Sequence, residues 1–130
     1  MLKTCLLVVC CGIEFTLGRC PYVTAQKVFS GKWSILILYY LNEGTLRYGE
    51  LQRRLSDISQ PTLTKQLRML EEFGLISRHV YSEVLPRVEY SLTDLGQAFN
   101  PVLEQFKAWG ELYIKSCLTS ISIRYIILYI

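Results

Sequence analysis

Two kinds of side chain in this sequence could do chemistry: its five cysteines and its scattered cations. A thiol reacts only as the thiolate, so it needs exposure and a nearby cation or helix N-terminus to depress its pKa. Cys20 is the candidate, with Arg19 before it and Pro21 opening a helical stretch after it. The other cysteines, Cys5, Cys10, Cys11 and Cys117, make an odd total, and no second CxxC pair exists. With His79 as the single histidine, neither a disulfide framework nor a structural zinc site is expected, and no metal is assigned. One histidine also argues against a Ser-His-Asp or Cys-His catalytic set. No P-loop, no GxGxxG after a strand and no HExxH is present, so neither an enzyme nor a cofactor is expected.

Positioning these groups falls to the stretch between Pro21 and Tyr113. Tyr22 to Ser30 reads as a short helix ended by Gly31. Lys32 to Leu41 carries Trp33, Leu36, Ile37 and Tyr40 at helical spacing, and Asn42-Glu43-Gly44 stops it. Arg47 to Leu55 places Tyr48, Leu51 and Leu55 on one face. In the next element Ser59 stands as N-cap and Pro61 lies in the first turn, where its missing N–H costs nothing. Leu63, Leu67 and Leu70 set its buried face, and Thr62, Lys65, Arg68 and Met69 point the other way. Gly74 ends it as a C′ glycine.

The hydrophobic period then changes from helix to strand. Ile76 and Val80, then Val88, Tyr90 and Leu92, alternate with Arg78, Arg87, Glu89 and Ser91, and Ser82 to Pro86 forms the tip of a two-stranded hairpin. Helical spacing returns from Asp94 to Tyr113 through Leu95, Phe99, Val102, Phe106, Trp109 and Tyr113, with Pro101 and Asn100 marking a kink or restart. Two short helices joined tightly through Ser56 to Ser59 and followed by a hairpin describe a mainly α winged helix-turn-helix with a small β-hairpin wing. The net charge of +3 permits a nucleic-acid partner without requiring one.

Apolar residues gather at the two ends, from Met1 to Ile13 and from Cys117 to Ile130. The first run loosely suggests a signal peptide, but Glu14 interrupts it and no A-x-A-like site follows. Neither end approaches the ~20 residues a spanning helix needs. The reading is an apolar extension over 1–19, a winged-helix domain with a terminal dimerisation helix over 20–114, and a second extension over 115–130.

Several ordered stretches carry a family resemblance: Cys20-Pro21, Gly31-Lys32-Trp33, Arg47-Tyr48-Gly49-Glu50-Leu51, Ile58 through Glu71, Gly74 through Arg78, Val88 through Gly96, and Trp109. In order and spacing they resemble the HxlR family of bacterial winged-helix regulators, relatives of the MarR group. The resemblance implies a cytoplasmic, nucleoid-associated homodimer that regulates transcription from a palindromic double-stranded DNA operator, with no membrane partner. It also implies that the helix beginning at Gln60 is the recognition helix, offering Gln60, Thr62, Lys65 and Arg68 to base edges or phosphates. Ser59 sets that helix's start and meets DNA through backbone N–H groups.

On the wing, Arg78 and Arg87 would meet the phosphate backbone or minor groove, or Arg78 would pair with Glu89 across the strands. Arg47 and Arg53, from the preceding helix, would position phosphates or pair with Glu50. Trp33 and Tyr48 are expected in the core. Val102, Phe106, Trp109 and Tyr113 are expected at the two-fold seam with the first helix. Some family members sense oxidants or electrophiles through the cysteine before the N-terminal proline, the place of Cys20. The competing readings are a membrane-associated or interaction protein using the apolar ends, and a winged helix used only for protein contacts, which the presence of Lys65 and Arg68 opposes.

Overall fold

A computed structural model describes the backbone of residues 20–129 and the side chains of residues 20–119. The apolar run at residues 1–19 lies outside the described residues. The elements in order are α1 (Pro21–Val28), α2 (Ser34–Asn42), β1 (Leu46–Arg47), α3 (Tyr48–Arg54), α4 (Gln60–Glu72), β2 (Ile76–Tyr81), β3 (Arg87–Leu92), α5 (Asp94–Gln97) and α6 (Asn100–Tyr129).

One apolar cluster holds α2 to α4 and the sheet together. Ile37, Leu38 and Leu41 of α2 meet Leu51 and Leu55, then Leu63, Leu67 and Leu70 of α4, with Leu75, Ile76 and Tyr90 closing the sheet side. The stripe expected on α2 shifts: Ser34, Ile37, Leu38 and Leu41 are its buried positions, and Leu36 is exposed. The segment Ser-Ile-Leu-Ile-Leu-Tyr-Tyr-Leu is apolar all round, so spacing alone could not choose its inner face. Trp33 and Tyr48 pack against the cluster as partly buried side chains.

The sheet has three strands in the order β1-β3-β2, all antiparallel. The expected hairpin is β2 and β3, paired from Ile76↔Leu92 to Tyr81↔Arg87. The additional strand is β1, pairing Leu46↔Tyr90 and Arg47↔Glu89. Two residues offer no alternation to detect, so the sequence pattern leaves Leu46 unassigned and places Arg47 in the following helix. Val80, expected inward, is exposed because the hairpin arm extends past the edge of the core.

The junction after α4 is closely built. Gly74 takes a positive φ of 75°, and its N–H donates to the Glu71 carbonyl while that of Leu75 donates to Leu70. This pair of bonds ends the helix in a Schellman arrangement. Thr93 caps α5 by accepting from the Gly96 N–H at 3.2 Å and donates its own hydroxyl to the Gly74 carbonyl at 2.6 Å. A Cβ at Gly96 would stand 2.1 Å from the Leu75 carbonyl oxygen, so the approach of α5 to that junction requires glycine.

The last helical stretch divides as the Asn100-Pro101 pair suggests, into α5 and α6. Leu95, expected in its stripe, is exposed on the short α5. Helix α6 then runs without a break through residue 114, where the sequence reading placed a domain boundary. Among the described residues no helix is long and apolar enough to cross a membrane.

Candidate nucleic-acid interface

The leucine face of α4 is wholly covered, and that fixes what its other face presents. Leu63, Leu67 and Leu70 are buried; Gln60, Pro61, Lys65 and Arg68 are exposed, with Thr62 and Met69 partly so. No ion pair of Lys65 or Arg68 occurs among the described residues. A helix with one sealed stripe and unneutralised cations opposite it can enter a groove lined with acceptors and phosphates.

Alignment of α4 depends on contacts the sequence pattern does not display. Tyr48, assigned simply to the core, reaches from α3 to the start of α4. Its hydroxyl donates to the Gln60 carbonyl at 3.0 Å and stands 3.1 Å from the Thr64 hydroxyl, which can donate in return. On the far side, the buried Ser34 hydroxyl donates to Gln66 Oε1 at 2.9 Å. A Cβ at Gly31 would come within 2.9 Å of that same amide, so the turn before α2 is shaped around Gln66. Between α3 and α4, buried Leu55 and Ile58 pin the tight turn, with the Ile58 N–H on the Leu55 carbonyl.

Ser59 holds the N-cap position in extended backbone, but its side chain does not cap. Its hydroxyl pairs with that of Thr62 at 2.7 Å instead, so backbone N–H groups at the helix start keep no side-chain acceptor from Ser59. That corrects the expected capping role of its hydroxyl.

The remaining cations divide by partner. Arg53 donates Nε to the Gly49 carbonyl at 3.2 Å, and the alternative pairing of Arg47 or Arg53 with Glu50 does not form; Glu50 accepts from the Arg47 backbone N–H at 2.8 Å, and the Arg47 guanidinium faces Glu89. Arg54, which sequence reading passed over, pairs with Glu43 and lies over the Tyr40 ring. Arg78 is exposed and stands opposite Tyr90, not Glu89. Its alternative pairing with Glu89 is therefore overturned by register: His79 and Arg47 are the residues across from Glu89. Arg87 is partly buried, its guanidinium 4.1 Å over the Tyr81 ring, between Glu83 at 3.7 Å and Glu89 at 3.3 Å. A groove lined by Arg47, Tyr48, Gly49, Leu85, Pro86 and Arg87 joins the wing to the start of α3.

Two further sites differ in environment. Cys20 occupies the N-cap position of α1 as expected, but it is 4% exposed within the chain, against the expected accessibility. Along α6, Val102, Phe106, Trp109 and Tyr113 are all exposed, with Trp109 and Tyr113 stacked at 5.3 Å. Val102 and Phe106 also line an apolar cavity of about 320 Å³ with Ala25 and Phe29 of the first helical segment. Two of the four expected seam residues thus share a surface with that segment. Among the described residues no group of side chains could hold a metal ion.

Known proteins agree with this architecture. The model of the HxlR-like helix-turn-helix family matches residues 28–117. The HTH-type transcriptional regulator YdeP of Bacillus subtilis is 45% identical over 105 residues, spanning 78% of this chain and 82% of YdeP. Among solved structures, the redox regulator HypR in its reduced form superposes with a TM-score of 0.72 at 38% identity, covering 76% of this chain and 98% of HypR. The reduced form of the regulator YodB from B. subtilis gives 0.64 at 31% identity, over 71% and 91%. The chain belongs to the HxlR-like helix-turn-helix family of transcriptional regulators and has the winged helix-turn-helix fold.

Proposed function

We propose that the chain binds a palindromic double-stranded DNA operator as a homodimer, is not an enzyme, and acts in the bacterial cytoplasm on the nucleoid. The observation that carries this reading is the outer face of α4, where Lys65 and Arg68 stand exposed opposite a sealed leucine stripe. Gln60, Thr62, Lys65 and Arg68 meet base edges or phosphates from α4, and the backbone at Ser59 meets a phosphate. Arg53 from the α3 side and Arg78 from the wing position the phosphate backbone, while Arg47 and Arg87, expected in the same role, are engaged by Glu89 beside it. Dimerisation uses Val102, Phe106, Trp109 and Tyr113 with α1, because a patch of this extent left in water drives association. Binding of labelled fragments from around the regulator's own gene, competed with random DNA, tests the proposal. A fragment that resists competition supports it, and equal displacement of all fragments contradicts it.

A response to oxidants through Cys20 is a second reading, supported by the similarity to HypR, a redox regulator solved in oxidised and reduced forms. Cys20 stands at the N-terminus of α1 and is buried. Oxidation would therefore follow opening of the α1 start. The test compares DNA release by diamide in the parent chain and in Cys20→Ser. Release that persists in the serine variant rules Cys20 out.

A further inference from the structure

On one face of the small sheet, the register sets Arg47, Glu89 and His79 in a row across β1, β3 and β2, with Arg87 two residues from Glu89 on the same strand. The Glu89 carboxylate is largely buried, 20% exposed, and the same oxygen, Oε1, lies 3.3 Å from Arg87 Nε and 3.6 Å from Arg47 Nε. Arg87 Nε is itself buried and makes no hydrogen bond, so this carboxylate is its compensating charge. The rest of the guanidinium is occupied by the Tyr81 ring at 4.1 Å and Glu83 at 3.7 Å. Two arginines and two glutamates make the cluster neutral. Beyond it the hairpin tip offers Val84, Leu85 and Pro86, all exposed and none of them cationic.

Within the cluster the Arg87–Glu89 pair, 29% and 20% exposed, is screened by salt less than an exposed pair, whereas Arg47 and Glu83 are each 55% exposed. The cluster's consequence lies in what the wing withholds from DNA. Contacts to phosphate raise affinity for every sequence alike, whereas base contacts discriminate. Arg87 and Arg47, engaged by carboxylates, add little to the first term, which leaves phosphate contact on the wing to Arg78 and discrimination to α4.

We propose that Glu89 is a specificity-determining positioning residue: it latches Arg87 and Arg47 to the sheet and so limits sequence-independent binding. The inference rests on the DNA-binding reading above. Glu89→Gln removes the charge that both arginines share without changing side-chain shape, leaving Arg87 only Glu83 and the Tyr81 ring. It is expected to raise affinity for a random-sequence duplex several-fold at low salt and to steepen the log–log salt dependence by about one to two, ~0.9 for each phosphate newly neutralised. In the Arg47→Ala, Arg87→Ala background the same substitution should have no effect on the slope, as the double-mutant cycle requires when the residues act together.

An unchanged or shallower slope overturns the proposal. So does an equal gain in the background lacking both arginines, which would mean that simple loss of a negative charge suffices. A DNA-free measurement keeps the two readings separable: hydrogen exchange at arginine Nε in the parent protein, followed by NMR. The latch predicts that Arg87 Nε–H exchanges much more slowly than that of exposed Arg68. Equal exchange overturns the latch even where DNA binds. A protein that binds no DNA while Arg87 stays protected refutes the functional reading and leaves the latch standing as a structural feature.

Discussion

Helices α4 and α6 carry apolar residues at similar helical spacing and meet opposite fates. On α4, Leu63, Leu67 and Leu70 are 0%, 1% and 0% exposed; on α6, Phe106, Trp109 and Tyr113 are 54%, 63% and 57% exposed. The first stripe is covered by α2 and the sheet of its own chain, so α4 is fixed in place and its polar face is committed outward. Within α6, Leu103 belongs to the central cluster, while the bulky aromatics beyond it do not. Spacing defines a stripe, and the surrounding topology decides what covers it.

The difference predicts different consequences for similar truncations. Leu67→Ala should have the largest effect, costing about 2–5 kcal/mol of folding stability because it opens a cavity in a closed core. Urea unfolding measures it, and a loss well below that range would mean the stripe is less enclosed than the structure shows. Trp109→Ala should leave each domain folded and shift the dimer toward monomer, by about 2–4 kcal/mol of association if it is a central anchor of the seam. Light scattering should find about twice the 15.1 kDa chain mass for the parent and a lower mass for the variant. A parent monomer would remove α6 as the seam.

Lys65→Ala and Arg68→Ala touch neither stripe, so unfolding curves should not change, while binding to the operator weakens by roughly 1–3 kcal/mol where the side chain reads a base. The smallest effect is expected from Arg78→Ala, which should weaken all DNA sequences alike and lower the salt slope by about one. A loss confined to one sequence would instead place Arg78 at a base edge.

Patterns that repeat along one element were legible in the sequence. The leucine stripe and terminal Gly74 of α4 gave its inner face and its end, and the Ser82–Pro86 tip with its flanking alternation gave the wing. What escaped depends on a partner from elsewhere in the chain. The two residues of β1 become a strand through pairing with β3, and the inner face of the uniformly apolar α2 is chosen by what packs on it. Tyr48 shows the same limit at the interface: its hydroxyl's role depends on where Gln60 and Thr64 are brought. Arg87 was visible as a cation, but the carboxylates engaging it follow from strand register and the fold of the tip.

The most direct test of the central claim is an equilibrium titration of the purified chain against DNA spanning its own promoter region and against a random duplex, across a salt series. Two chains per bound site are expected, with binding that weakens steeply with salt on both DNAs and a promoter site preferred by about 10³-fold or more. That preference should collapse when Lys65 and Arg68 are both replaced by alanine. Absence of salt-dependent binding to any DNA, or a preference that survives the double replacement, would contradict the assignment of α4 as the element that reads sequence.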